Sequence, residues 1–359
     1  DRAEQIGLYF PVTRQEFLDA DPAFSGDPGA LNLPSVLSEN CVESCVFTRT
    51  VRALGSGTWN ISAEGALDLQ VTPTSFTLSE GQEVDIAIRI SRGSVEFNQW
   101  GAGSVVLESP DPEFITQSMP IGVLVSPGQL PSQQDFLSEA TRGSNTLEIP
   151  NLVATEIIYR TSALARPTQR SPELSQDPTR SDPFDGGDGV FVEWIEVPVD
   201  ALLLHAETFA STAPDIDLYV GLDSNGDGLA QASEQLCASI SLDDLELCRV
   251  PLPQAGSWWV LVQSWEASGS GLDNVPFEFA VFAEDDDSSL TVDGPTSHGG
   301  GALEVDISWN QPEMRQNERW MGIAGLTMSQ DRLADIGVIP VTVTKTTDIF
   351  FRDGFESRN

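Results

Sequence analysis

The chain has 359 residues, with 55 acidic against 18 basic side chains and a formal net charge of -37. Such a surface repels nucleic-acid phosphates and anionic lipid heads, which excludes both as partners, and it attracts cations. The length implies two or three domains, the eight Trp and the 40% hydrophobic fraction supply several cores, and no run reaches the roughly 18 consecutive apolar residues of a membrane-spanning helix.

In chain order, residues 1–44 read as an N-terminal connector. Residues 12–20 form an amphipathic piece that predicts a short helix, followed by a Pro/Gly-rich run through Asp27-Pro28-Gly29 and Leu33-Pro34. From 45 to 126 short β-rich stretches alternate with turn signals every ten or so residues. Leu67-Asp68-Leu69-Gln70-Val71 and Val84-Asp85-Ile86-Ala87-Ile88-Arg89-Ile90 show clean period-two alternation. That pattern predicts an antiparallel sandwich of immunoglobulin or fibronectin III type. Residues 127–185 are rich in Pro, Ser, Gln and Arg and read as a linker with two candidate strands, Leu147-Glu148-Ile149 and Ile157-Ile158-Tyr159. Alternation restarts at Val190, and 186–284 reads as a second β-sandwich. After the acidic break Glu284-Asp285-Asp286-Asp287, residues 285–346 read as a small Ig-like β-unit and 347–359 as a C-terminal tail. The expected fold class is all-β, a tandem array of antiparallel β-sandwich domains.

The strongest chemical signal is Asp223-Ser224-Asn225-Gly226-Asp227-Gly228 with Glu234 beyond it. This is the D-x-N-x-D-G-x5-E spacing of a calcium loop. Asp223, Asn225 and Asp227 would supply side-chain oxygens, Leu229 a backbone carbonyl and Glu234 two closing oxygens. Hard oxygen donors without a His or Cys set suit Ca²⁺. The flanking segments, Asp215 to Val220 and Trp258 to Val262, read as strands, whereas an EF-hand needs helices. The expectation is a calcium loop on a β-scaffold, acting as a structural clasp.

Four cysteines allow three connectivities, and sequence does not choose among them. The local pairs Cys41–Cys45 and Cys237–Cys248 are the expectation, because each pair sits in its own turn-rich segment. Such loops are worth roughly 2 and 3 kcal/mol on the chain-entropy view, and disulfides imply an oxidising compartment, secreted or on the cell surface. Catalytic signals are weak. His205 lies in a strand pattern without partner motifs, and Ser297-His298-Gly299-Gly300-Gly301 lacks the G-x-S-x-G elbow that would complete a hydrolase site. Trp258 and Trp259 must point to opposite faces of their strand. One belongs to the core, and Trp259, with Trp265 nearby, is a candidate ligand-stacking pair; the alternative is that it packs under a loop or a neighbouring domain.

Three passages together resemble the region that follows the catalytic domain in bacterial subtilisin-like (S8 family) serine peptidases. Arg49-Thr50-Val51, Trp59, Val71-Thr72-Pro73, Phe76-Thr77-Leu78 and Gly81 are similar to the fibronectin III-like domain of subtilases. Asp215-Ile216-Asp217-Leu218-Tyr219-Val220, with Pro253-Gln254-Ala255-Gly256-Ser257-Trp258, resembles the pre-peptidase C-terminal domain, which implies a jelly-roll-like sandwich. Asp353-Gly354-Phe355-Glu356 resembles a short ending of exported proteobacterial proteins, which points to a Gram-negative source. The Asp, His-Gly-Thr and Gly-Thr-Ser-Met-Ala motifs of the catalytic domain are absent, so no catalytic residue is carried over. The resemblance implies a non-catalytic accessory region of a serine endopeptidase polypeptide, supporting secretion, stability or substrate binding. Its partners would be the catalytic domain of the same precursor and a polymeric substrate or cell surface. The alternative is a surface adhesin or extracellular filament component built of the same calcium-stabilised modules.

Overall fold

The computed structural model describes residues 5–21, 26–269, 271–285 and 287–346. The tail motif at 353–356 lies outside them. The chain divides into two compact units, one of residues 1–129 with 150–153 and 299–301, the other of 130–149, 154–298 and 302–359.

The first unit is a two-sheet sandwich. Its strands are β1 (Leu8–Tyr9), β2 (Val36–Val42), β3 (Ser44–Ala53), β4 (Gly57–Gly65), β5 (Asp68–Thr72), β6 (Ser75–Leu78), β7 (Glu83–Ser91), β8 (Gln99–Glu108) and β9 (Gln117–Ser126), with a short β10 (Gly128–Gln129) after them. One sheet has the order β1-β3-β7-β5, the other β2-β9-β8-β4-β6. Alternation works as the physics requires: Ile86, Ile88 and Ile90 are fully buried in β7, while Asp85, Arg89 and their neighbours face out. Trp59 fills the centre, with ring centroids 5.8 Å from Phe76 and 5.3 Å from Phe114.

The stretch 1–44 does more than connect. It carries the expected helix, α1 (Arg14–Asp19), closed by a capping box in which Thr13 and Glu16 satisfy each other's backbone amides. It also supplies β1 and β2, the latter paired in parallel with β9. Buried Arg49 fixes the approach to β2 by donating to the carbonyls of Leu33 and Ser35 at 3.0 Å. Burial pulls its guanidinium pKa below the usual value. An arginine can be buried here because carbonyl oxygens replace its water.

In the second unit the two candidate strands within 127–185 lie in strands, but the segment around them is no plain linker, and 285–346 does not stand as a separate small unit. Strands β11 (Gln134–Ser138), β12 (Arg142–Ile149) and β14 (Ile158–Thr161) come from the supposed linker, which also holds β13 (Asn151–Ala154), β15 (Thr168–Arg170) and β16 (Glu173–Leu174). Next come β17 (Val190–Val197), β18 (Ala201–Thr208), β19 (Asp215–Leu222), β20 (Gln235–Ser239), β21 (Leu247–Pro251), β22 (Gly256–Glu266), β23 (Asp273–Asn274) and β24 (Phe277–Ala283). The last are β25 (Leu290–Asp293), β26 (His298–Gly299), β27 (Leu303–Asn310), β28 (Arg319–Thr327) and β29 (Gly337–Lys345). β11 pairs in parallel with β29, β12 antiparallel with β27, and β14 with β28. Residues 134–161 and 290–345 therefore build one set of sheets, with the 168–283 sandwich inserted between them in sequence. Pairing across so long a loop leaves no local mark on composition, because loop closure costs entropy only slowly with length.

The inserted sandwich has sheets β15-β24-β18-β21 and β17-β22-β19-β20. Its core holds Leu204, Ala206, Ile216, Leu218, Val220, Trp258, Val260, Val262 and Phe277. Alternation fails in β18 and β22, whose residues are buried almost without break. Both faces of these strands are covered, as in strands buried between layers.

Candidate metal site

The 223–234 loop leaves β19 at its C-terminal end and returns into β20. Asp223 accepts from the amides of Gly226 at 2.7 Å, Asp227 at 3.2 Å and Gly228 at 3.1 Å. Asn225 Oδ1 accepts from Asp227 N at 2.8 Å, and Asp227 Oδ1 from Leu229 N at 2.9 Å. Gly226 and Gly228 take φ of +74° and +71°, left-handed values that fold the acidic side chains inward at no steric cost. Glu234 sits in a short 3₁₀ turn and is buried. Its Oε1 accepts from Ser224 N at 3.0 Å, and its Oε2 from Trp259 Nε1 at 3.4 Å. The last acid of the motif is thus folded back onto the first residues of the loop.

These residues fit a hard cation. The donors are carboxylate and amide oxygens, and among the described residues no Lys or Arg pairs with Asp223, Asp227 or Glu234. No Lys or Arg occurs anywhere from 181 to 248. Uncompensated carboxylates with one member buried make the electrostatic demand a divalent ion meets. The three carboxylates do not all lie within 4.8 Å of one another; among the described residues only His205, Glu207 and Glu278 do.

That second cluster is an ion-pair network. It lies on the outer face of β18 and β24, where Glu207 stands opposite Glu278. Arg319 of β28 pairs with both carboxylates, and Gln169 donates to the other oxygen of Glu278 at 3.0 Å. Arg249 Nε donates to His205 Nδ1 at 3.4 Å. A guanidinium only donates, so Nδ1 is the acceptor and the ring proton sits on Nε2, 3.6 Å from Glu207. That tautomer leaves no lone pair on Nε2 for a metal, and two arginines already balance two glutamates. Burial, then Arg249 and Arg319, push the His205 pKa down to about 3, so the ring stays neutral. His205 is a structural strand histidine.

Trp259 does not face a ligand. It is fully buried, its ring edge-on to Phe184 at 5.8 Å, and a Cβ at Gly221 would meet it at 2.1 Å. Phe184 belongs to a strap, residues 176–188, that covers the outer face of β19 and β22. Trp265 is half-buried, with the Arg180 guanidinium 4.5 Å from its ring centroid. Packing under a covering segment is the observed arrangement for Trp259. The disulfides are Cys41–Cys45 and Cys237–Cys248, with Cα separations of 5.4 and 5.9 Å.

Sequence reasoning missed the polar layer beneath the strap. Asp177, Asp217 and Gln263 are buried there. Gln263 Nε2 donates to Asp177 Oδ2 at 2.6 Å and the Tyr219 hydroxyl to Asp217 Oδ2 at 3.1 Å. Asp217 Oδ1 has no hydrogen-bond partner among the described residues. Burial, with Asp215 and Glu246 nearby, raises the Asp217 pKa to about 6 even though Tyr219 donates to it. The alternation of Asp215, Asp217 and Tyr219 on one strand was the available signal; the strap that buries them gave none.

Residues 30–123 match the family model described as "Fibronectin type-III domain". No curated protein matches the chain. Among solved structures, the secreted serine protease VesC from Vibrio cholerae aligns at 13% identity over 70% of this chain and 49% of that one, with a TM-score of 0.22. The periplasmic chaperone SfaE aligns at 17% identity over 37% of this chain and 74% of its own, TM-score 0.22. Tripeptidyl peptidase 2 aligns at 9% identity over 81% of this chain and 21% of its own, TM-score 0.25. The chain spans about half of VesC, and at such scores no residue role passes from any of them. The first unit contains a fibronectin type-III domain, and the two disulfides mark the chain as extracytoplasmic. No helix among the described residues is long and apolar enough to cross a membrane.

Proposed function

We propose that the chain is a calcium-clasped, non-catalytic accessory region of an exported subtilisin-like serine peptidase, supporting its secretion, stability or substrate binding. The observation that carries this reading is the pairing of β19 with β22, Val220 opposite Val260 and Leu222 opposite Trp258. The two passages that resemble the pre-peptidase C-terminal domain are adjacent strands, and the loop from Asp223 leaves their shared end. The fibronectin type-III domain at 30–123 supports the same reading. Bound Ca²⁺ would be held by Asp223, Asn225, Asp227, the Leu229 carbonyl and Glu234. It would neutralise carboxylates that have no basic partner and lock the loop over Trp259.

A Gly-Thr-Ser-Met-Ala motif in the coding sequence upstream of residue 1 is the expected result, and an adhesin repeat there sinks the peptidase assignment. For the ion, Ca²⁺ at about ten times its dissociation constant stabilises the fold by about 1.4 kcal/mol. Extracellular modules bind in the range of about 10⁻⁴ to 10⁻³ M. Glu234→Ala should lower the melting temperature in Ca²⁺ more than in chelator. Equal shifts in both buffers leave only a polar turn.

A further inference from the structure

The loop closed by Cys237–Cys248 carries an apolar surface that neither the clasp nor the core uses. Ile240, Leu242, Leu245 and Leu247 are 61%, 91%, 64% and 44% exposed within it, and Leu236 beside it is 60% exposed. A single exposed leucine is ordinary, but several large exposed aliphatics on one short disulfide-closed loop are a concentration of the kind that marks interaction sites.

The patch is held out by a fixed frame. Glu246 is buried and accepts from Ser241 N at 2.8 Å and Ser241 Oγ at 2.6 Å. Asp243 Oδ1 accepts from Leu245 N at 2.9 Å, and its carbonyl from Ile216 N at 3.1 Å. Thr208 Oγ1 holds the Asp244 carbonyl at 2.7 Å. With the disulfide, these bonds order the leucines before any partner arrives, which lowers the entropy lost on binding. β20 and β21 are also the edge strands of their two sheets, each hydrogen-bonded to a neighbour on one side only. An unpaired edge next to apolar side chains is the arrangement an extended peptide completes.

Charge selects the occupant. The segment from 181 to 248 has no Lys or Arg, while Asp243 is exposed within the disulfide-closed loop. A second copy would bring two chains of net charge -37 together, and an anionic lipid surface is repelled. A cationic segment is attracted and oriented. We propose that the loop between β20 and β21 docks an extended, apolar and cationic polypeptide segment, which adds as a strand to the open edge of β20. The loop would do so whether or not the chain accompanies a peptidase.

The test is fluorescence anisotropy of a short labelled peptide of alternating Val and Lys, titrated with the full chain at about 150 mM salt, where long-range charge effects are screened. Leu242→Ser/Leu245→Ser should weaken binding about tenfold, Leu236→Ser should also weaken it, and Val199→Ser, an exposed aliphatic outside β20, β21 and their loop, should leave it unchanged. N-methylation of alternate peptide amides should abolish binding. Circular dichroism and the melting temperature check that the exposed-site variants fold. The docking surface is overturned by a Ser/Lys peptide that binds equally well, by full affinity in the double variant, or by binding that survives N-methylation. Sedimentation showing a dimer that the double variant abolishes, with no peptide binding, would assign the patch to a second copy instead.

Discussion

The inserted sandwich carries a buried polar layer on each outer face, and the two are opposite in charge design. On the β18/β24 face, Glu207 and Glu278 share Arg319, and neutral His205 leans on Arg249. On the β19/β22 face, Asp177 and Asp217 meet Gln263 and Tyr219, and among the described residues no cation is hydrogen-bonded to either carboxylate. In the first layer an arginine from a distant strand meets both glutamates, although His205 Nε2 has no hydrogen-bond partner among the described residues. The second keeps an unpartnered Asp217 oxygen and a raised pKa. Burial alone therefore does not set the electrostatics of a polar layer; the availability of a counter-ion does.

The sharpest way to break this contrast is Arg319→Met. It leaves buried Glu278 without its cation and Glu207 with only Arg249 nearby, and should cost about 3–5 kcal/mol, measured as a lower denaturation midpoint for this unit. A loss under about 1 kcal/mol would equate the pair with exposed salt bridges.

Acid titration separates the layers next. His205 has a folded pKa of about 3, below the ordinary value near 6.5. Its neutral burial therefore stabilises above pH ~6.5 and that contribution is lost as pH falls toward 3. Asp217 has a folded pKa of about 6, above its ordinary value near 3.9. Its ionised form is destabilising above pH ~6, and the penalty is relieved as pH falls from 6 toward 4. The two slopes oppose each other between about pH 6 and 4. Asp217→Asn should add up to about 3 kcal/mol at pH 8 and make the acid side of the stability profile steeper. His205→Gln should tilt that side the other way. Parallel profiles for both variants and the parent protein would show that neither group titrates as its surroundings require.

The smallest expected effect lies at the loop from Asp223 to Glu234. Removing Ca²⁺ from the parent protein should lower stability by about 1.4 kcal/mol at ten times the dissociation constant, with little change in Glu234→Ala. An equal loss in the variant would place the ion elsewhere.

What was legible in the sequence follows from range. β7 announces itself because Ile86, Ile88 and Ile90 alternate against polar residues on a face that water reaches. The oxygen donors from Asp223 to Glu234 were legible because they are neighbours in the chain. Trp259 was misplaced as an exposed candidate because its cover, Phe184, comes from a segment that composition marks as linker. The His205, Glu207, Glu278 and Arg319 network left no trace, since three separate strands contribute to it.

By itself the sequence determined the all-β class, the local disulfide spacing and the oxygen-rich loop, because strand period, turn chemistry and ligand spacing act over a few residues. Only the tertiary structure decided that Leu147 pairs with Val305, so that the supposed linker and the supposed third unit share their sheets. It also decided which acids meet an arginine and which do not. Those outcomes depend on strands brought together across more than a hundred residues, where no local pattern records the partner.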